Sequence, residues 1–168
     1  MMGLLLATAL ASQQAFFLEV RSEVIAVQRE LFEKENVAIA NVIAAQAVLE
    51  SAAGRSLLSK RYNNLFGITA WKGYTGKVVW LRERATGRPV RFRAYASRRD
   101  CIRDYFKILM KSKYYQDAYQ AMLRGDIDGF ISGLLPVIVD GRVKEPGWAT
   151  DPLYREKLYN VIRRCTNV

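Results

Sequence analysis

Apolar residues recur at helical spacing along most of this chain. Between Gln13 and Lys34, Phe17, Val20, Val24 and Val27 fall on one face and Glu19, Arg21, Glu23, Arg29 and Glu30 on the others, which predicts a first helix. Asn36 is placed to cap a second helix running to about Ala53, with Val37, Ile39, Val42, Ile43 and Val48 as its apolar positions and Gly54 as its stop. Ser56 to Leu65 reads as a loop or short helix. The period then changes. Two β-prone runs, Lys77 to Arg82 and Val90 to Tyr95, flank a turn at Ala85-Thr86-Gly87-Arg88-Pro89, the pattern of a hairpin. Alternation puts Val90 and Phe92 on one face and Arg91 and Arg93 on the other.

Helices resume after Ser97, a fitting N-cap, with Ile102, Tyr105, Phe106 and Leu109 as a stripe to about Met110. Tyr114 to Leu123 and Asp126 to Leu135 predict two more, Pro136 to Pro146 a loop. Pro152 suits the first turn of a last helix through Arg164, with Asp151 near its cap. No repeat, low-complexity tract or linker interrupts the pattern. The expectation is one α+β domain over residues 1–168, mostly helical with one small inserted hairpin.

Composition narrows the chemistry. The chain has no His, which removes His-based triads and most zinc or non-haem iron sites, so no metal or organic cofactor is expected. A net charge of +10 draws the protein toward polyanions: nucleic acid, anionic lipid or the acidic polymers of bacterial walls. The Arg-rich stretch Arg82, Arg84, Arg88, Arg91, Arg93, Arg98, Arg99 and Arg103 is either a solvated face or a patch for such a polymer. Cys101 and Cys165 are too few for a disulfide scaffold; two buried thiols are the simpler reading, one disulfide the other. The apolar start, Met1 to Ser12, is too short to span a bilayer and lacks a basic lead; it reads as the first turns of a helix or a loose lead-in, with a weak signal peptide as the alternative.

Glu50 stands at the end of the apolar run Asn41-Val-Ile-Ala-Ala-Gln-Ala-Val-Leu-Glu50. A carboxyl among alanines and branched aliphatics is costly to ionise, and one kept protonated near neutrality can act as a general acid. It can equally be a plain residue at an exposed helix end. Glu83, at the hairpin tip, is the only acidic residue between Glu50 and Asp100, and is either a second catalytic carboxylate or a partner of Arg82 and Arg84. Aromatics Tyr62, Phe66, Trp71, Tyr74, Trp80, Tyr95 and Trp148 offer sugar-stacking faces, and Asn63 and Asn64 offer amide hydrogen bonds. Together these residues point to glycan cleavage.

Five stretches, in order, resemble the bacterial and phage peptidoglycan endo-β-N-acetylglucosaminidases, the family of the flagellar peptidoglycan hydrolase and several autolysins. Ala45-Gln46-Ala47-Val48-Leu49-Glu50-Ser51 is similar to the family's "AQAALES" helix, and Asn63 to Ile68 to its "NNLFGIK". Trp71-Lys72-Gly73 matches "WKG"; Phe92 to Ser97, with Asp104-Tyr105, resembles "FRAYDS" and a later "DY"; Gly147 to Pro152, with Tyr154 and Lys157-Leu158, resembles "GYATDPxYxxKL". The match covers about residues 16–164. The resemblance implies a lysozyme-like fold, with a helical lobe and a β-hairpin lobe facing across a substrate groove. It implies hydrolysis of the β-1,4 bond after N-acetylglucosamine in peptidoglycan, with Glu50 as general acid and Glu83 at the second, β-lobe glutamate.

The resemblance also places Asn63, Asn64, Phe66, Trp71, Tyr95 and Trp148 along the substrate. Ala52-Ala53-Gly54 stand where the family has Gly-Trp-Gly, and Trp148 where it has Tyr. An inverting pair would hold its carboxyls roughly 6.5–9.5 Å apart. A muramidase or lytic transglycosylase on the same fold, or a basic wall- or nucleic-acid-binding module without catalysis, are the alternatives. The leading reading implies peptidoglycan strands as partner, anionic wall polymers as a further one, no nucleic acid, a monomer, and action at the bacterial wall, either secreted or periplasmic or as a phage lysis or virion enzyme.

Overall fold

The computed structural model describes residues 2–82 and 86–166, with side chains from residue 7 onward. Helix α1 covers Met2–Phe32, so the apolar lead-in is the start of a helix whose residues 7–12 are exposed. Helix α2, Val37–Glu50, begins where Asn36 accepts a hydrogen bond from the Ile39 amide. Nine of its residues are buried, from Ile39 to Val48, and α1 and two later helices, Ile127–Gly133 and Tyr154–Thr166, pack around it. A helix enclosed on this many sides shows no polar face for periodicity to report. Its alanines let the neighbouring backbones approach.

The second helix stops at Glu50, three residues before its expected end. Ala52, Ala53 and Gly54 adopt left-handed φ values of 52°, 54° and 77°. Left-handed non-glycine residues are strained. Here the Ser51 side chain fixes the turn, its hydroxyl donating to the Ala47 carbonyl at 2.6 Å and accepting from the Gly54 amide at 2.8 Å. A Cβ on Gly54 would also lie 2.5 Å from the Phe16 ring. The sharp stop leaves Glu50 as the last helical residue, at the edge of the core.

A short helix α3, Leu57–Tyr62, leads to the segment that builds the second lobe. Strands β1, Val78–Arg82, and β2, Pro89–Arg93, form the expected antiparallel hairpin. Residues 68–70 line its other edge, with Arg93 N donating to Ile68 O and Ala70 N to Arg91 O. Arg93, one of the Arg-rich stretch expected as a solvated face or a polymer patch, is instead 5% exposed. Its partner lies on α4, Arg98–Lys111, which Ser97 caps as expected.

After a 3-10 turn at Lys113–Tyr115 come α5, Gln116–Arg124, and α6, Ile127–Gly133. Pro136 to Pro146 is a second hairpin, not a loop: β3, Val137–Val139, pairs with β4, Arg142–Glu145. Asp140 and Gly141 both have positive φ at its tip, as a two-residue hairpin turn requires. Helix α7, Tyr154–Thr166, closes the fold against α2. Cys101 and Cys165 are free and buried, and no disulfide joins them. Burial pushes the Cys101 thiol up to about 12, so it is an inert packing group. Among the described residues no helix is long and apolar enough to cross a membrane. The architecture is the expected one, a helical lobe and a small β-lobe facing across a groove.

Candidate active site

The groove between the lobes has a volume of about 880 Å³. Glu50 stands in it at the end of α2. The chain from Phe66 to Thr69 forms its floor, Trp71 and Tyr74 one rim, and Asp104, Lys107, Ile108 and Lys111 of α4 the facing wall. Tyr114, Tyr115 and Trp148 close one end.

Glu50 is open to solvent by accessible surface, yet it sits in a concave surround dense with apolar atoms. Both descriptions hold for a carboxyl in a cleft. The crowding raises its pKa above the usual carboxylate range, because the charged form loses solvation. One contact opposes the rise: the Tyr154 hydroxyl donates to Glu50 Oε1 at 3.2 Å. Tyr154 is itself held from behind. The Tyr105 hydroxyl donates to Gln46 Oε1 at 2.7 Å, and the buried Gln46 side chain acts on the Tyr154 hydroxyl from the same side, its amide nitrogen having no hydrogen-bond partner among the described residues. Burial raises both phenols, so each stays a neutral donor. This file of side chains fixes Oε1. Among the described residues nothing donates to Oε2, which is left for a ligand or a proton.

The aromatic end is built on Trp148. Its indole N–H donates to the Phe66 carbonyl at 3.2 Å, and its ring lies 4.8 Å from Tyr105 and 5.4 Å from Tyr115. Phe66 is almost wholly buried, so it shapes the floor from beneath. Trp71 is 61% exposed and presents a free face. Behind it the Arg93 guanidinium sits 4.7 Å from the Trp71 ring and 4.5 Å from the Tyr74 ring. Asp104 Oδ2 accepts from Arg93 and from the Tyr95 hydroxyl, each at 2.6 Å. Asp104 is therefore occupied by the protein, and Tyr95 faces it from behind the groove.

Asn63 and Asn64 are also turned inward. Asn63 ends α3 in a left-handed conformation and donates to the carbonyls of Tyr95 and Ala96. Asn64 is 1% exposed; its amide donates to Ile68 O and Arg93 O, and its oxygen accepts from Ile68 N. They pin the floor of the groove to the β-lobe. Glu83 lies outside the described residues.

Half of the Arg-rich stretch is neutralised from within. Arg98, Arg99 and Arg103 pair with Glu19, Glu23 and Glu30 of α1, and Arg93 with Asp104. Sequence reading passed over Gln46, Tyr105 and Tyr154 as site residues. The only signal was their place inside the resembling stretches, since nothing local shows that three distant positions meet behind one carboxyl.

Comparison with known proteins agrees with this geometry. The glucosaminidase family profile, described as mannosyl-glycoprotein endo-beta-N-acetylglucosaminidase, matches residues 27–167. The peptidoglycan hydrolase FlgJ of Vibrio parahaemolyticus is 32% identical over 137 residues, 76% of this chain but 41% of that protein. The chain thus spans about two fifths of this relative's length. Among solved structures, a peptidoglycan hydrolase from Sphingomonas sp. A1 aligns with a TM-score of 0.62 and 27% identity, covering 92% of this chain and 94% of that one. The catalytic domain of the autolysin Auto from Listeria monocytogenes aligns equally well, with a TM-score of 0.62, 28% identity and coverage of 92% and 85%. With the profile running from inside α1 to the end of α7, across the whole groove, the chain belongs to the glucosaminidase family.

Proposed function

We propose that this protein hydrolyses the β-1,4 bond after N-acetylglucosamine in peptidoglycan, with Glu50 as the general acid. The observation that carries the reading is Glu50 itself: a groove carboxyl with a raised pKa, one oxygen fixed by Tyr154 and the other free. That free oxygen can deliver a proton to a glycosidic oxygen lying in the groove. Trp71 and Trp148 supply the stacking faces, with Phe66, Asn63, Asn64 and Tyr95 holding the floor and rim in place. The relatives named as peptidoglycan hydrolases support the same substrate. Action would then be at the bacterial wall, by residues 1–168 working as one catalytic unit.

Glu83 is the proposed second carboxylate, activating water for inversion. A single-glutamate route is the second reading; the observation behind it excludes Asp104 as the second carboxylate, since Arg93 and Tyr95 occupy it. In that route the substrate's N-acetyl group assists, or a muramic hydroxyl closes to an anhydro product. Digesting purified peptidoglycan and identifying the new ends by mass spectrometry tells hydrolysis after N-acetylglucosamine from cleavage after the muramic sugar and from the anhydro route; a Glu83→Gln protein that keeps full activity would remove Glu83 as the base. Reducing N-acetylglucosamine ends are the expected result. Reducing muramic or anhydro-muramic ends would overturn the bond assignment and keep the site.

Tyr154→Phe gives a sharper test of the acid role. Removing the hydroxyl removes the one contact that stabilises the ionised carboxyl, so the pKa of Glu50 rises further. A general acid works protonated, and its rate falls as pH climbs through its pKa. The alkaline limb of the pH–rate profile is therefore expected to move to higher pH. Movement of the acid limb instead would mean that Glu50 acts as a base.

A further inference from the structure

Helix α4 divides its cations between two jobs. Its arginines face α1 and are each paired with a glutamate there. Its lysines Lys107 and Lys111 face the groove, and among the described residues neither has an ion pair or hydrogen bond. They are four residues apart on one helix face, about 6 Å along its axis. The described acids of the groove, Glu50 and Asp104, do not answer them. Asp104 is taken by Arg93 and Tyr95, and the influences that shift Glu50 are burial and Tyr154 alone, with no lysine among them. Both lysines thus line the same groove as Glu50 without a counter-charge among its described residues.

The hydroxyl and N-acetyl groups of a glycan strand are neutral, so they offer these lysines hydrogen bonds but no counter-charge. The acidic groups of peptidoglycan are carboxylates, carried mainly by the peptide stems on the muramic sugars. We infer that Lys107 and Lys111 form a subsite for the carboxylates of a peptide stem, so that the groove selects glycan that still bears its peptides. The inference rests on the glycan-cleaving reading above and adds to it which part of the substrate the α4 wall holds.

Binding tests it without turnover. In the Glu50→Gln background, affinity at low salt would be measured for soluble glycan fragments bearing stems, for the same fragments with their carboxyls capped as amides, and for fragments stripped to the lactyl carboxylate. Stem-bearing fragments are expected to bind about fivefold more tightly than capped ones, the scale of two partly solvated ion pairs. Adding Lys107→Gln and Lys111→Gln should erase that difference. Equal binding of charged and capped fragments, or a preference that survives the double substitution, would overturn the subsite. Stripped fragments binding as tightly as stem-bearing ones would move the contact to the lactyl group and overturn the stem assignment. Turnover by the unsubstituted protein decides the glycosidase reading separately: binding with the expected preference but no cleavage would sink that reading and keep the subsite.

Discussion

Glu50→Gln is expected to lower the rate of peptidoglycan cleavage by roughly 10²- to 10⁴-fold, the range over which a positioned general acid acts. The amide keeps the shape and the contact to Tyr154 but has no proton of the required acidity. The same substitution should stabilise the fold at neutral pH. The sign follows from the raised pKa of Glu50. A carboxyl that is harder to ionise folded than unfolded costs no stability when both states are protonated. Its penalty grows as pH rises from the unfolded value, near the ordinary 4.5, through the folded one. Thermal melts of the two proteins should therefore coincide at about pH 4 and diverge in favour of the glutamine form by pH 7. Loss of activity together with this gain marks a residue kept for chemistry at the expense of stability. Full activity in the glutamine form would remove Glu50 from the reaction. Unchanged melting at both pH values would mean the carboxyl is not desolvated.

Where the sequence was legible, one local signal sufficed. Asn36 and Ser97 cap helices as read, because capping needs only a side chain and the next turn. The first hairpin was visible in its alternation. The second was missed although Val137-Ile138-Val139-Asp140-Gly141-Arg142-Val143 carries an Asp-Gly turn between β-prone residues. The flanking prolines, Pro136 and Pro146, drew the reading toward a loop. Glu50 was singled out from its apolar run, but not its backing. Tyr105, Gln46 and Tyr154 come from three helices, and the hydroxyl of Tyr154 reaches Glu50 across 104 positions of sequence. The end of α2 was misplaced because two alanines took up left-handed conformations that local propensity disfavours, held there by Ser51.

The burial of Arg93 was not legible in the hairpin pattern, and the second large effect follows from it. Alternation set Arg93 on the face opposite Val90 and Phe92 and says nothing of what covers that face. In the fold its side chain is 6% exposed, donating to Asp104 of α4 and to Thr69 O at 3.1 Å, with the Trp71 and Tyr74 rings packed edge to face beside the guanidinium. One ion pair thus ties the β-lobe to the helical lobe and props a groove aromatic. Asp104→Asn would leave a buried guanidinium without its counter-charge and the Tyr95 hydroxyl competing for a weaker acceptor. Removing one partner of a buried pair costs about 3–5 kcal/mol, and the partial exposure of Asp104 argues for the lower figure. In a chain of this size that lowers the melting temperature by roughly 10 °C. Glu30→Gln, which breaks the exposed pair to Arg103, should be nearly silent in the same melt. Arg93→Met with Asp104→Leu separates charge from shape. An apolar pair should recover most of the lost stability. It should not recover substrate affinity, because Trp71 and Tyr74 would no longer close on a cation. An Asp104→Asn protein that melts with the wild type would mean that water or another acceptor satisfies Arg93, and that the two lobes are held together elsewhere.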